Sequence, residues 1–310
     1  MSKILPAYLA VFALLCSAQT PSQVTAALYG HYYSGVYPNG VELVGRIDPD
    51  TGVVSPVATV GSGMVGTPFC SAFDPTNQNY LFYLSDQSGT HLYAVNVLSG
   101  AITSSSNTSW LPISMEFDRS SATLYGVVYV GPYPSGWVSL VQIDLATGNF
   151  IPVATVVTGA PGIGVASAFD SLTRRYFLYA DDGSGMRLYT VSVRTGKVTS
   201  SAPVSTIPSS IEFDLLRRRL LGSLYLPSSN SQVIAEIDPT TGAANPIVTV
   251  GVGPIWTMTA SAFDPLTGRY FSYAGSGPDM ALYVANVVTG TVKISGPVTQ
   301  APSAIQFSSR

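Results

Sequence analysis

Residues 187–196 read RLYTVSVRTG, an alternating strand that runs into a Thr-Gly turn. The same reading recurs as VELVGRIDPDTG (41–52), HLYAVNVLSG (91–100), SLVQIDLATG (139–148), QVIAEIDPTTG (232–242) and ALYVANVVTG (281–290). The closing glycines, Gly52, Gly100, Gly148, Gly196, Gly242 and Gly290, are spaced 48, 48, 48, 46 and 48 residues apart. A fixed period of this size is the mark of a repeat architecture, and it decides the fold before any single residue does.

A second element falls between the turns: CSAFDP (70–75), SMEFDR (114–119), ASAFDS (166–171), SIEFDL (210–215), ASAFDP (260–265) and AIQFSS (304–309). An aromatic strand such as YLFYL or RYFLYA follows it, and a short Val/Ser/Pro strand such as VSPVATV ends the unit. Four short strands per unit and six units read as an all-β, six-bladed β-propeller. AIQFSS is a first strand with no blade after it, and LYGHYY (28–33) is a second strand with no first strand before it. The C-terminal strand is therefore expected to pair into the N-terminal blade and close the ring. Blades with SAFD alternate with blades carrying EFD or QFS, which predicts pseudo-threefold symmetry.

The turns carry their own chemistry. In Asp48-Pro49-Asp50-Thr51-Gly52, Pro presets φ, Asp bonds the turn backbone and Gly takes the left-handed position. The recurring aspartates, including Asp74 and Asp264, read as turn residues before they read as calcium ligands.

Hydrophobic residues make up 46% of the 310 and charged residues only 10%, against ~25% in an average domain. Beyond the N-terminus no apolar run reaches the ~18 residues of a membrane span. Net charge is −3, so the basic footprint of a nucleic-acid binder is absent, and Arg217-Arg218-Arg219 reads as a solvated hairpin tip. Lys3, the apolar stretch 4–15 and Cys16-Ser17-Ala18 read as a signal peptide over 1–18. That leaves a single propeller domain over 19–310, secreted to the exterior. Cys70 would then be the one remaining cysteine, and it is expected to be buried. Asn107-Thr108-Ser109 is the one N-glycosylation sequon.

Catalytic constellations are scarce. His31 and His91 have no metal-like spacing, no G-x-S-x-G is present, and GAPGIG (159–164) lacks the helix a phosphate loop needs. No catalytic residue is assigned, and the chain reads as a binding protein before it reads as an enzyme. Four Glu occur in all, and Glu116 and Glu212 share one first-strand position with Gln306. First strands line the central channel of a propeller, so these three side chains are expected to converge there. Loop aromatics are the stronger binding signal. Tyr37, Tyr133 and Trp137 sit among Gly, Ser and Pro, and Trp110 and Trp256 precede first strands. Such rings offer a rigid apolar face and a polar edge to a sugar or a flat partner.

The segment LYAVNVLSG (92–100) resembles a quinoprotein-type blade, a likeness that extends over 28–308. The tryptophan that usually follows the turn in those blades is missing from all six units, so no cofactor or activity is carried over. The Glu116/Glu212/Gln306 set is similar in outline to the channel of six-bladed lactonase-like propellers, which implies calcium as the ion to consider. Three functions stay open: an extracellular recognition protein with a glycan or protein partner; a self-associating matrix component; a metal-dependent lactonase-like or other hydrolase working at the channel.

Overall fold

The computed structural model describes residues 26–36, 39–62, 70–86, 88–108, 110–132, 135–159, 162–252, 257–275, 280–298 and 301–308. They form six antiparallel sheets of four strands each, and no described residue is helical. Blade 1 runs, from inside out, Ala304–Ser308, Ala27–Ser34, Val41–Ile47 and Val54–Ser62. Blade 2 is Ser71–Asp74, Asn79–Asp86, Gly89–Asn96 and Ile102–Ser104. Blade 3 is Ser114–Asp118, Thr123–Val130, Trp137–Ile143 and Phe150–Thr158. Blade 4 is Gly162–Asp170, Arg175–Asp181, Met186–Ser192 and Val198–Ser200. Blade 5 is Ser210–Asp214, Arg219–Leu226, Ser231–Ile237 and Ala244–Val252. Blade 6 is Thr257–Asp264, Arg269–Ala274, Ala281–Asn286 and Val292–Ile294. Each inner strand neighbours the next, and the inner strand of blade 6 neighbours Ala304–Ser308, which closes the six-bladed propeller.

Closure uses the pairing expected from the two incomplete ends. Ala27 to His31 pair with Ser308 to Ala304, so the last strand completes the first blade. Both edges are hidden in that pairing rather than left as templates for aggregation. The GAPGIG stretch ends in strand. Gly162–Ile163 already belong to the inner strand of blade 4, paired with Asp181–Ala180, because a bulge before Ser167 lengthens that strand.

Blades hold together through the phenylalanine shared by all inner strands. Phe73, Phe169, Phe213 and Phe307 stack on Tyr29, Tyr125, Phe177 and Phe271 of the adjacent blade, with centroids 5.6–5.9 Å apart. Offset stacking of this kind adds about 1 kcal/mol per pair to the burial of the rings. Buried tyrosines tie neighbours by hydrogen bonds, among them Tyr80 Oη, which donates to Ala304 O (2.9 Å), Tyr176 Oη, which meets Ser114 Oγ (3.2 Å), and Tyr270 Oη, which meets Ser210 Oγ (2.9 Å).

Threefold character is visible in the outer strands. Those of blades 1, 3 and 5 have nine residues, and those of blades 2, 4 and 6 have three. The long ones carry Pro56, Pro152 and Pro246, which blunt exposed edges. The aspartate turns form as read. Asp48, Asp144 and Asp238 each accept the backbone N–H groups two and three residues on, and Gly52, Gly148 and Gly242 sit at φ 72–73°. Cys70 is buried just before its strand, where burial pushes the thiol up to about 12 and keeps it unreactive.

Candidate functional sites: the central channel and an aromatic cleft

The inner strands share a register, so Glu116, Glu212 and Gln306 stand at one repeat position in blades 3, 5 and 1. Alanine at that position in the SAFD blades (Ala72, Ala168, Ala262) is buried in the apolar clusters that also hold Met115, Ile211 and Ile305 of the next blades. Glu116 Oε1 accepts from Ser167 Oγ at 2.8 Å, and Glu212 Oε1 accepts from Ser261 Oγ at 2.6 Å. Gln306 Nε2 donates to the backbone oxygen of Ser71 at 2.9 Å. All three polar side chains face both of two small channel chambers, about 50 Å³ and 100 Å³. The convergence expected from the repeat is therefore present, as a constriction between the chambers.

Burial holds both carboxyl groups above the usual carboxylate range. Glu212 is pushed up to about 7, eased by the Ser261 bond. Glu116 goes well above its ordinary value, first by burial and then by the nearby Glu212 charge, with the Ser167 bond opposing. Arg119 lies on the rim of the larger chamber. Its surface is open to solvent, yet the crowding around its guanidinium lowers its pKa. Chemically the constriction is an all-oxygen donor set, fitted to hold protons or a hard cation. No cluster of three His, Cys, Asp or Glu forms a metal site among the described residues. Both chambers are well under the ~300 Å³ of a small-molecule pocket.

The larger cavity is elsewhere. A cleft of about 490 Å³ opens on the flank of blade 3, within the usual range for ligand pockets. Trp110, from the loop entering the blade, and Trp137, from the start of its third strand, both line it. They are 46% and 40% exposed, so each presents ring surface to solvent rather than plugging a gap between blades. Phe150 and Val128 extend the apolar wall, and Thr108, Ser139, Asn149 and Thr155 supply hydroxyl and amide groups. No charged side chain lines it among the described residues. Thr108 Oγ1 sets the loop by bonding Thr90 O and Trp110 O, both at 3.3 Å. In blades 1 and 5 the positions of Trp137 and Phe150 hold Val41 with Val54 and Ser231 with Ala244, so neither of those blades repeats the aromatic wall.

Of the other residues singled out, Tyr37, Tyr133 and Trp256 lie outside the described residues, as does the signal-peptide segment. Asn107 is exposed beside the cleft loop, and its amide staples the neighbouring hairpin. Oδ1 accepts from Thr90 N at 3.0 Å and Nδ2 donates to Ser88 O at 3.3 Å, with the side chain packed over Gly89. His91 is held by Ser88 Oγ and Ser105 O in the same hairpin. Arg217 and Arg219 differ from a simple solvated tip, because both bond the buried Asp214.

One buried site escaped sequence reasoning. His31 and Glu42 are both fully buried, with Nε2 4.0 Å from Oε1. Tyr33 faces Glu42 in the hairpin register, which sets His31 on the diagonal and the same face. Alternation along the two strands was the available signal.

No protein-family model matches the sequence, and a search of curated proteins finds no match. Solved structures do match. TolB from Acinetobacter baumannii superposes with a TM-score of 0.65 at 12% identity, over 91% of this chain and 66% of that one. This chain thus spans just under two thirds of the length of that protein. A chain of the nidogen/laminin complex gives 0.61 at 10% identity, over 91% of this chain and 98% of its own. An oligogalacturonate lyase in complex with manganese gives 0.54 at 12%, over 88% and 78%. At such identities the likeness shows the shared propeller fold, and folds of this kind host unrelated functions.

Proposed function

We propose that this chain is an extracellular binding protein whose ligand site is the Trp110–Trp137 cleft and whose ligand is a neutral glycan. The observation that carries this reading is the meeting of two half-exposed tryptophans in one uncharged cleft rimmed by hydroxyl and amide groups. Pyranose rings stack on such faces and spend their hydroxyls on such rims. The signal-peptide reading of residues 1–18 supports export. One site per chain is expected, since blades 1 and 5 do not repeat the aromatic wall.

The test is a broad glycan array probed with the chain from Gln19, beside Trp110→Ala and Trp137→Ala. Saturable binding to one sugar class, weakened about tenfold or more by either substitution, is the expected result. Absence of binding would sink the glycan reading. Concentration-dependent assembly on a sizing column would then favour a self-associating matrix component.

A catalytic reading is favoured by one observation, the buried Glu116/Glu212 pair with raised pKa values. Ester or lactone hydrolysis abolished by Glu116→Gln would support it, and chelator sensitivity would bring in calcium.

A further inference from the structure

The turns that leave the inner strands all lie at one mouth of the channel, because every inner strand runs the same way along the axis. Direct bonds link them around the ring. Arg174 Nε bonds Asp118 of the preceding blade at 3.1 Å, and Arg217 Nη1 donates to Pro265 O of the next at 3.1 Å. On blades 4, 5 and 6 the same turn position carries Leu172, Leu216 and Leu266, which are 63%, 59% and 60% exposed. Three adjacent blades thus hold a bare aliphatic tip over one face. The same position is Thr76 in blade 2 and Ser120 in blade 3, so the apolar sector covers one side of the mouth.

Charge is distributed to match. The turns of blades 3 to 6 and the residues that open the next strand hold seven arginines, half of the chain's 14 basic residues, against four aspartates. Those aspartates (118, 170, 214 and 264) are at most 2% exposed, while their arginine partners reach solvent. Arg218 is exposed and has no ion pair among the described residues. Arg219 also pairs with the exposed Glu236 at 3.6 Å, so seven positive side chains stand against five negative ones, and a chain of net charge −3 sets a net-positive, leucine-tipped sector around this mouth.

From this juxtaposition we propose that this face docks on an anionic lipid surface, with the three leucines entering the interface and the arginines holding headgroup phosphates. Aliphatic tips beside cationic side chains are the composition of an interfacial membrane contact. Guanidinium groups suit phosphate through their forked donors. Protein–protein hot spots instead favour Trp and Tyr and are poor in Leu, and no aromatic tip stands in this sector. The docking face is separate from the blade 3 cleft, so it does not depend on the glycan reading.

The experiment is co-sedimentation of the chain from Gln19 with vesicles of phosphatidylcholine alone and of phosphatidylcholine mixed with phosphatidylserine. Binding is expected only to the mixed vesicles and should weaken as salt rises. The triple variant Leu172→Ser/Leu216→Ser/Leu266→Ser should lower the partition about tenfold or more, with an unchanged melting temperature because the side chains are exposed. Arg218→Ser should lower it about fivefold. Trp110→Ala should leave it unchanged. No sedimentation with mixed vesicles would overturn the proposal. Salt-sensitive sedimentation that survives the triple leucine variant would also overturn it, because the leucines would then not enter the interface.

Discussion

His31 Nε2 stands 4.0 Å from Glu42 Oε1 with both side chains at zero exposure, between blades 1 and 2. His31 also meets Tyr80 Oη at 3.2 Å and stacks on Phe82 at 4.9 Å, while neither Glu42 oxygen has a hydrogen bond among the described residues. The repeat supplies two natural replacements at the same pair of positions. Blade 3 has Val127 and Val138, and blade 5 has Ser223 and Gln232, whose Nε2 donates to Ser223 Oγ at 2.9 Å. Removing one partner of a buried pair strands the other, whereas replacing both is often neutral or stabilising. His31→Val alone should therefore cost about 3 kcal/mol, and His31→Val/Glu42→Val should recover most of it. Urea midpoints of the four corners of the cycle decide this, and additive losses would refute it.

Acid should stabilise this fold down to about pH 4.5. Glu42 and Glu212 are pushed up to about 7, and Glu116 is raised as well, chiefly by burial in each case. An unfolded Glu titrates near ~4.3, so between that pH and 7 the native state binds more protons than the unfolded state. Stability thus falls as pH rises through this window, by up to about 1.4 kcal/mol per pH unit for each carboxyl, and levels off above the folded pKa. The turn aspartates act the other way but lower down. Asp48, Asp144 and Asp238 are held below 3.8 by backbone N–H bonds, so their contribution is lost only in stronger acid. Melting temperature should drop between pH 5 and pH 7.5, and Glu42→Gln and Glu212→Gln should each flatten the drop. A profile flat over this range would refute the assignment.

What the sequence made legible follows from what the repeat constrains. Strand number, ring closure and the meeting of Glu116, Glu212 and Gln306 all depend on one register copied around the axis. Period and alternation carry that register. The cleft depends instead on residues outside the repeat. Trp110 and Trp137 are 27 positions apart; Trp137 was marked by its loop composition and Trp110 by its place before a first strand. Their meeting rests on local contacts such as the bond from Thr108 Oγ1 to Trp110 O, which no periodicity encodes. His31 and Glu42 were missed for another reason. Each was judged alone, while their relation lies in a hairpin register that needs both strands at once.

The channel serines should separate by partner. Ser167 Oγ supplies the hydrogen bond that Glu116 accepts, so Ser167→Ala leaves a buried carboxyl oxygen unsatisfied and should cost about 1–3 kcal/mol. Ser71 occupies the same repeat position, but its buried Oγ has no partner within hydrogen-bonding geometry among the described residues, and Gln306 bonds the Ser71 backbone oxygen instead. Ser71→Ala should then be neutral or slightly stabilising. Equal losses at both sites, measured by thermal melting, would refute the pairing.

Two turn glycines offer a test that reaches the cleft. Gly148 and Gly290 end equivalent turns at φ 73° and 75°, where an added Cβ meets left-handed strain of about 1 kcal/mol. Around Gly290 nothing lies within 4 Å of that Cβ, so Gly290→Ala should cost only the strain. At Gly148 the Cβ would come within 2.7 Å of Ser105 Oγ and Thr108 Cγ2, which adds about 1–3 kcal/mol of overpacking. Thr108 also positions Trp110 through the bond to its backbone oxygen. Relief of the clash by moving Thr108 would therefore move the cleft wall. Gly148→Ala should lower both the melting temperature and glycan affinity, and Gly290→Ala should lower the melting temperature alone. Equal affinity in the two variants would show that the loop carrying Trp110 is set independently of this turn.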